Sequence, residues 1–247
     1  ASVVKADYVT PYVSSSRSAT DAFKDLSKNA NDADLANDTS TGTSSYRDGS
    51  IIYIGNMFAG DNATLSKSNN YIDFDGTDDY AVVTNGMNSL VGTNATTFGA
   101  WIYIDTVTSS WDGVIANKVN VAEGIALLVS NTQKIFFQYD STSGNYAISG
   151  GSNIPTAEWT YIVGTYDTVA GYKTYMNGEL NDSETDAGKS IASSGDMSIN
   201  IGAQRNSSGN PGAYFPGRIA RAEIYNKALS AAEIKSNFNQ FKGRFGL

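Results

Sequence analysis

Tyr71-Ile-Asp-Phe-Asp-Gly-Thr-Asp-Asp-Tyr-Ala-Val-Val83 is the stretch on which the reading of this chain turns. Ile72 and Phe74 share one face ahead of an acidic turn, and Tyr80 and Val82 share one after it. Alternation with a period of two residues is the mark of a half-buried strand, not of a helix. Between the two segments Asp75, Gly76, Asp78 and Asp79 supply turn chemistry. Glycine tolerates positive φ, and aspartate side chains accept backbone N–H bonds a few residues on.

The same period continues downstream. Phe98, Ala100, Ile102 and Ile104 alternate with Gly99, Trp101 and Tyr103, and Ile135, Phe137 and Tyr139 do likewise. Ile125–Val129 is nearly continuous apolar, which predicts a strand covered on both faces. Tyr161, Val163 and Thr165 alternate, and Tyr172, Thr174 and Met176 lead into Asn177-Gly178, the strongest two-residue hairpin signal. Met197, Ile199 and Ile201 predict another strand, and Ile219–Tyr225 a last one. About ten short strands with polar turns and no helical pattern between them predict an all-β, two-layer antiparallel sandwich.

The ends differ from the middle. Residues 1–50 are rich in Ser, Thr, Asn, Asp and Ala, and β patterning begins only at Ile51-Ile-Tyr-Ile54. Such a composition buries too little surface to fold alone. Residues 1–50 are therefore expected to form an extended arm over the sandwich or a neighbouring subunit, with a helical fragment around Thr20–Leu26. Residues 51–247 form the sandwich domain. Near its end Ser230-Ala-Ala-Glu233 is a capping box, Leu229 and Ile234 are spaced as a hydrophobic staple, and Ile234, Phe238 and Phe241 form one stripe. This predicts a helix over 231–241 lying on the sandwich, closed by a left-handed cap at Gly243.

Composition removes whole reaction classes. The 247 residues include no cysteine and no histidine. Disulfides, thiolate nucleophiles, imidazole-based triads and His- or Cys-ligated metals are all excluded. Any bound metal should be a hard one held by oxygen. Seventeen basic against 25 acidic residues give a formal charge of −8, which argues against nucleic acid and anionic membrane surfaces as partners. No apolar run reaches the length of a membrane span. The amino terminus has no basic region followed by an apolar stretch, so a chain made without an export signal is expected.

Several pieces, in order, resemble the laminin G-like (concanavalin A-like jelly-roll) family: Phe74–Tyr80, Phe98-Gly-Ala-Trp101-Ile-Tyr, Trp159-Thr-Tyr-Ile-Val-Gly-Thr-Tyr-Asp167, Tyr175-Met-Asn-Gly178, Phe215-Pro-Gly-Arg-Ile219 and Ile224–Ile234. The resemblance implies a jelly roll that binds sugars or proteins. Many members hold one calcium ion with Asp side chains and backbone carbonyls, which implies Asp75, Asp78 and Asp79 as ligands here. Ala220 stands where many members carry Asp, which removes one expected ligand. The plainer reading, that Asp75 and Asp79 cap the turn, is preferred. The flanks, Phe23–Leu35 with its Asp-Leu-Ser core and Phe238–Leu247 with its Lys-Gly-Arg-Phe-Gly ending, resemble those of tailed-phage virion proteins, although Phe23 stands where that subgroup often has Trp.

Candidate binding residues come from aromatics in turn-like segments. Trp101 and Trp159 lie within strand motifs and are read as core. Trp111 and Asp112, in Ser109-Ser-Trp-Asp-Gly113, are read as surface residues, and the polar loop from Asn206 to Tyr214 ends in an aromatic. Loops at one end of a sandwich are where binding surfaces form. Ordinary turns with one anchoring aromatic each are the equal alternative. A glycoside hydrolase needs two facing carboxylates. The nearest spacing, Glu184-Thr-Asp186, has polar and glycine-containing flanks and reads as a loop. The expectation is a non-enzymatic virion protein displayed on a tailed phage, whose partners are other virion proteins, copies of itself or host glycans. The alternative is a carbohydrate-binding module of a secreted or cell-surface bacterial protein.

Overall fold

The computed structural model describes residues 21–23, 33–36, 71–83, 86–106, 108, 110–117, 124–141, 144–185, 190–191, 198–205 and 210–247. The strands are β1 (Asp21–Phe23), β2 (Ala33–Ala36), β3 (Ile72–Asp75), β4 (Tyr80–Val83), β5 (Ala95–Ile104), β6 (Asp112–Ala116), β7 (Gly124–Val129) and β8 (Ile135–Ser141), followed by β9 (Gly144–Ile148), β10 (Trp159–Asp167), β11 (Gly171–Met176), β12 (Glu179–Glu184), β13 (Ile199–Ile201), β14 (Gln204–Arg205), β15 (Pro211–Gly212) and β16 (Pro216–Tyr225). One helix, α1 (Ala231–Phe241), follows them.

Two antiparallel sheets face each other. The larger has eight strands in the order β1-β2-β4-β13-β6-β7-β8-β9, and the smaller six in the order β12-β11-β10-β5-β16-β3. The acidic turn joins them. β3 pairs with β16 in the smaller sheet, while β4 pairs with β2 and β13 in the larger. The Tyr71–Val83 passage is therefore a corner that passes the chain from one layer to the other. Gly76 makes the corner with φ +76°, and Pro216 leaves no room for a β-carbon there.

Alternation decides which side chains enter the core. Ile72, Phe74, Phe98, Ala100 and Ile102 point inward from the smaller sheet, and Ala81, Val83, Ile115, Ile125, Leu127, Phe137, Tyr139, Ile199 and Ile201 from the larger. After the turn it is Ala81 and Val83 that are buried, so Tyr80 and Val82 lie on the outer face. Gly164 on β10 sits against the Phe137 ring of the facing layer, with no space for a side chain. Phe98 and Tyr172 meet the same ring edge-on at 6.1 and 6.2 Å. The Asn177-Gly178 hairpin joins β11 to β12 with both residues at positive φ, as a type I′ turn requires.

A second apolar layer lies outside the smaller sheet. Trp101, Trp159, Tyr161, Val163, Tyr175 and Ala220 are buried there with Leu229, Ile234 and Phe238 of the helical segment. The two tryptophans are thus core residues, but between sheet and helix. The capping box is present: Ser230 Oγ accepts from the Glu233 N–H at 3.3 Å and the Glu233 carboxylate accepts from the Ser230 N–H at 2.8 Å. Each fully buried large apolar side chain at this contact contributes about 1.5–3 kcal/mol. Beneath the helix Glu223 is buried, accepting hydrogen bonds from the Tyr161 hydroxyl at 2.9 Å, the Tyr225 hydroxyl at 3.2 Å and the Asn237 amide at 3.4 Å, and pairing with Arg221. Burial, then the Glu223 charge, pushes the Tyr225 hydroxyl up to about 12.

Two sequence expectations need correction. A strand, β1, stands where a helical fragment around Thr20–Leu26 was expected. A helix that short has no nucleation advantage, whereas the edge of the larger sheet offers unpaired backbone groups, and β2 and β1 add to it beside β4. Two pieces of the expected arm, residues 1–50, are therefore strands of the larger sheet. The left-handed cap is Gly246 at φ +79°, not Gly243. The chain continues past α1 through a 3-10 turn, Lys242–Phe245, that stacks Phe245 on Trp101 with centroids 4.2 Å apart. Ile51–Ile54 and Met197 lie outside the described residues.

Candidate functional site

Trp111 immediately precedes β6 and remains 38% exposed. Its ring meets Phe136 edge-on, with centroids 4.5 Å apart. Phe136 alternates with the core residues Ile135 and Phe137, so it stands on the outer face of the larger sheet. Asp112 opens β6 and is buried, its Oδ2 accepting from the Thr108 hydroxyl at 2.6 Å. Burial pushes its carboxyl up to about 6, against the Thr108 hydrogen bond.

The loop that ends at Tyr214 comes to the same end of the sandwich. The Gly113 N–H donates to the Ala213 carbonyl at 2.7 Å, and the backbone of Ala203–Gln204 crowds Gly113 so closely that no β-carbon fits. Tyr214 is half-buried, its ring 6.3 Å from that of Tyr80 and its hydroxyl donating to the Pro211 carbonyl at 3.2 Å. Burial first, then Tyr80 and the charge of Asp78, raises that hydroxyl above the usual phenol range. Trp111, Asp112 and Tyr214 are thus gathered at one rim, next to the acidic corner. Asn206 lies outside the described residues. Phe136 and Tyr80 join the rim without having been named as binding residues from the sequence. Both are outward members of ordinary alternating strands, so pattern alone did not distinguish them.

The corner carboxylates of Asp75, Asp78 and Asp79 each place an oxygen within 4.8 Å of the others. Asp75 Oδ1 accepts from the N–H groups of Thr77 at 2.7 Å and Asp78 at 3.4 Å, and Asp79 Oδ2 accepts from the Asp75 N–H at 3.3 Å. Burial, together with the charges of Asp75, Asp78 and Asp73, raises the Asp79 carboxyl, opposed by that Asp75 N–H. These bonds make Asp75 and Asp79 caps of the turn. Calcium takes six to eight oxygens, and among the described residues this cluster offers three carboxylates. Pro216 is the β16 residue paired with Asp75. Ala220 is four residues further along, about 13 Å at strand rise, and is buried under α1.

A retaining or inverting glycosidase pairs two carboxylates; among the described residues, burial and the opposing Thr108 hydrogen bond are what shift Asp112. Glu184 lies at the exposed end of β12, an edge strand of the other sheet and not a loop as expected, and Asp186 is outside the described residues. An exposed indole on a second ring, a half-buried tyrosine pair and a carboxylate form a surface that stacks and hydrogen-bonds.

Among solved structures, CBM40 of the Ruminococcus gnavus IT-sialidase, bound to α2,3-sialyllactose, is similar with TM-score 0.51 and 19% identity over 59% of this chain and 83% of that one. Domain 4 of the extracellular arabinanase AbnA of Geobacillus stearothermophilus, in complex with arabinotriose, is similar with TM-score 0.54 and 20% identity over 70% and 79%. The receptor-binding domain of the botulinum neurotoxin C/D mosaic serotype is similar with TM-score 0.56 and 16% identity over 72% and 44%. At such identities these likenesses bear on fold. No curated protein matches the chain. The family model of the concanavalin A-like lectin/glucanases superfamily matches residues 75–235, through the acidic corner, both core sheets and the capping box, and the chain belongs to that superfamily.

Proposed function

We propose that this is a non-catalytic carbohydrate-binding domain. The observation that carries the reading is the rim itself: Trp111 left open against Phe136 beside Asp112, with Tyr214 tied to the same end through the Gly113–Ala213 hydrogen bond. Aromatic faces stack on the C–H faces of sugars while a carboxylate takes hydroxyls, and neither requires a second acid. The similar structures bound to sialyllactose and in complex with arabinotriose support this reading through their fold alone. Glycan-array binding by the intact chain should fall by about tenfold or more in Trp111→Ala and in Tyr214→Ala, since aromatic anchors carry a large share of binding energy. An unchanged array profile in both variants would remove the proposal.

A second reading, a virion protein displayed on a tailed phage, rests on the flanks that resemble virion proteins, Phe23–Leu35 and Phe238–Leu247. It is compatible with glycan binding and adds other virion proteins or further copies of the chain as partners. It would place the chain on a particle surface, whereas a secreted module would be extracellular. Mass spectrometry of purified particles tests it, as do the neighbouring open reading frames. Particles that lack the chain would end it.

A further inference from the structure

Asp112 follows the open indole of Trp111 directly, yet it is only 5% exposed itself. One of its oxygens is already engaged. Thr108 Oγ1 donates to Asp112 Oδ2 at 2.6 Å, and the Ser110 N–H donates to Thr108 Oγ1 at 3.2 Å. This relay closes residues 108–112 on themselves, with Trp111 inside the closed segment. Downstream the backbone is fixed, since Asp112 pairs with Val129 on β7 and the Gly113 N–H donates to the Ala213 carbonyl. Thr108 and Ser110 belong to no strand. Among the described residues, it is the Asp112 carboxyl that ties their side of the segment to β6.

The strength of that tie depends on the charge of the carboxyl. A hydroxyl donates more strongly to a carboxylate than to a neutral acid, which is why the Thr108 bond opposes the rise that burial imposes on Asp112. By linkage, protonation of Asp112 weakens the bond. No other charge shifts this carboxyl. Of the elements packed on β6, β7 and β13 carry no titratable side chain and β14 carries Arg205. Tyr103 on β5 and Arg218, Arg221, Glu223 and Tyr225 on β16 lie on the outer face of the smaller sheet, under or beside α1. The chain has no histidine, so between about pH 4 and about pH 7 only carboxyls titrate.

We infer that Asp112 is a positioning residue for the rim: as a carboxylate it holds the 108–112 segment through Thr108 and so keeps the Trp111 indole set against Phe136. Acidification releases the segment, and the indole loses its fixed place on the Phe136 ring. The site is therefore assembled at neutral pH and loosened as pH falls through about 6. The inference concerns the regulation of the proposed carbohydrate site and rests on that reading for its functional meaning. The motion of Trp111 can be measured without any sugar.

Quenching of tryptophan fluorescence by acrylamide, a neutral quencher, tests it on the intact chain from about pH 7.5 to about pH 4.5. Trp101 and Trp159 are 0% and 9% exposed against 38% for Trp111, so the quenched signal is that of Trp111, and Trp111→Phe gives the baseline. Quenching should rise in one step as pH falls through about 6. Asp112→Asn and Thr108→Val should be strongly quenched at every pH, whereas Thr108→Ser, which keeps the hydroxyl, should retain the step. Calorimetric titration with arabinotriose and with α2,3-sialyllactose is run alongside, and any affinity found should fall about tenfold over the same interval. A quenching step with neither sugar bound upholds the positioning and counts against the carbohydrate-binding reading. Sugar binding without a step overturns the positioning alone, as does a step that survives in Asp112→Asn. Should the variants fail to fold, nuclear magnetic resonance of the unaltered protein decides. The Trp111 indole signal should titrate together with the Asp112 carboxyl signal, and an indole that does not move overturns the inference.

Discussion

Asp112 illustrates how a buried carboxyl works against the stability of the fold. Its carboxyl is raised to about 6 by burial, whereas in the unfolded chain it titrates near the ordinary value of about 3.9. A raised folded-state value means the native protein holds that proton more tightly. The group therefore leaves stability unaffected below the unfolded value and reduces it as pH rises through both values. Asp112→Asn should increase the melting temperature at pH 7 and flatten its decline between about pH 4 and about pH 6. Thermal melts of both proteins across that range check it, and an unchanged slope would show that the carboxyl is not desolvated. The sequence marked Trp111, Asp112 and Tyr214 because aromatic and acidic residues in turn-like segments break strand patterning. It did not mark Phe136, because an outward aromatic residue between inward apolar ones is what any strand shows. Only its contact with Trp111 places it at the rim.

At the scale of elements, the terminal helix is the part whose ends and partners were most legible, since a capping box and a stripe at helical spacing constrain it locally. Glu233 is held down to about 2, first by the Lys227 hydrogen bond and then by the Ser230 N–H. A lowered folded-state value stabilises above the unfolded one, about 4.3, and that contribution disappears as pH falls toward 2. Glu233→Gln should therefore melt lower than the parent at pH 7, and the gap should close below pH 4.3 and vanish near pH 2. Ser230→Ala, which removes the cap acceptor, should lower stability by about 1 kcal/mol at pH 7. Chemical denaturation at several pH values measures both. A gap in Glu233→Gln that persisted at pH 2 would mean the box contributes through packing instead. The far end of the helix was less legible. Gly243 looked like the stop, but the stacking of Phe245 on Trp101 and Trp159 carries the chain another turn to Gly246. That contact joins residues far apart in sequence, which local signals cannot report.

For the whole molecule, the acidic corner was legible as strand, turn and strand, and its role as the passage between sheets was not, because alternation says which face is buried but not which sheet a strand joins. The architecture that results is three layers: the larger sheet, the smaller sheet and α1 with its 3-10 extension. The outer interface holds Trp101, Trp159, Tyr161, Val163 and Tyr175 on the sheet side and Ile234, Phe238 and Phe245 on the other. Exposed, the sheet side would be a continuous aromatic patch larger than soluble surfaces tolerate, with Glu223 and its hydroxyl partners opened to water. A chain ending at Leu229 should keep the inner core and its strand content, because none of the inner-core residues comes from the helix. It should nevertheless self-associate through the bared face. Light scattering and far-ultraviolet dichroism of that truncation, beside Phe245→Ala in the full chain, separate the alternatives. Retained β signal with growing particle mass is expected for the truncation, and a monomer of lowered stability for Phe245→Ala, by about 1–3 kcal/mol given its partial burial. A truncated chain that stays monomeric and melts like the parent would mean that the outer layer is not part of the cooperative fold, and that the two sheets sustain each other without it.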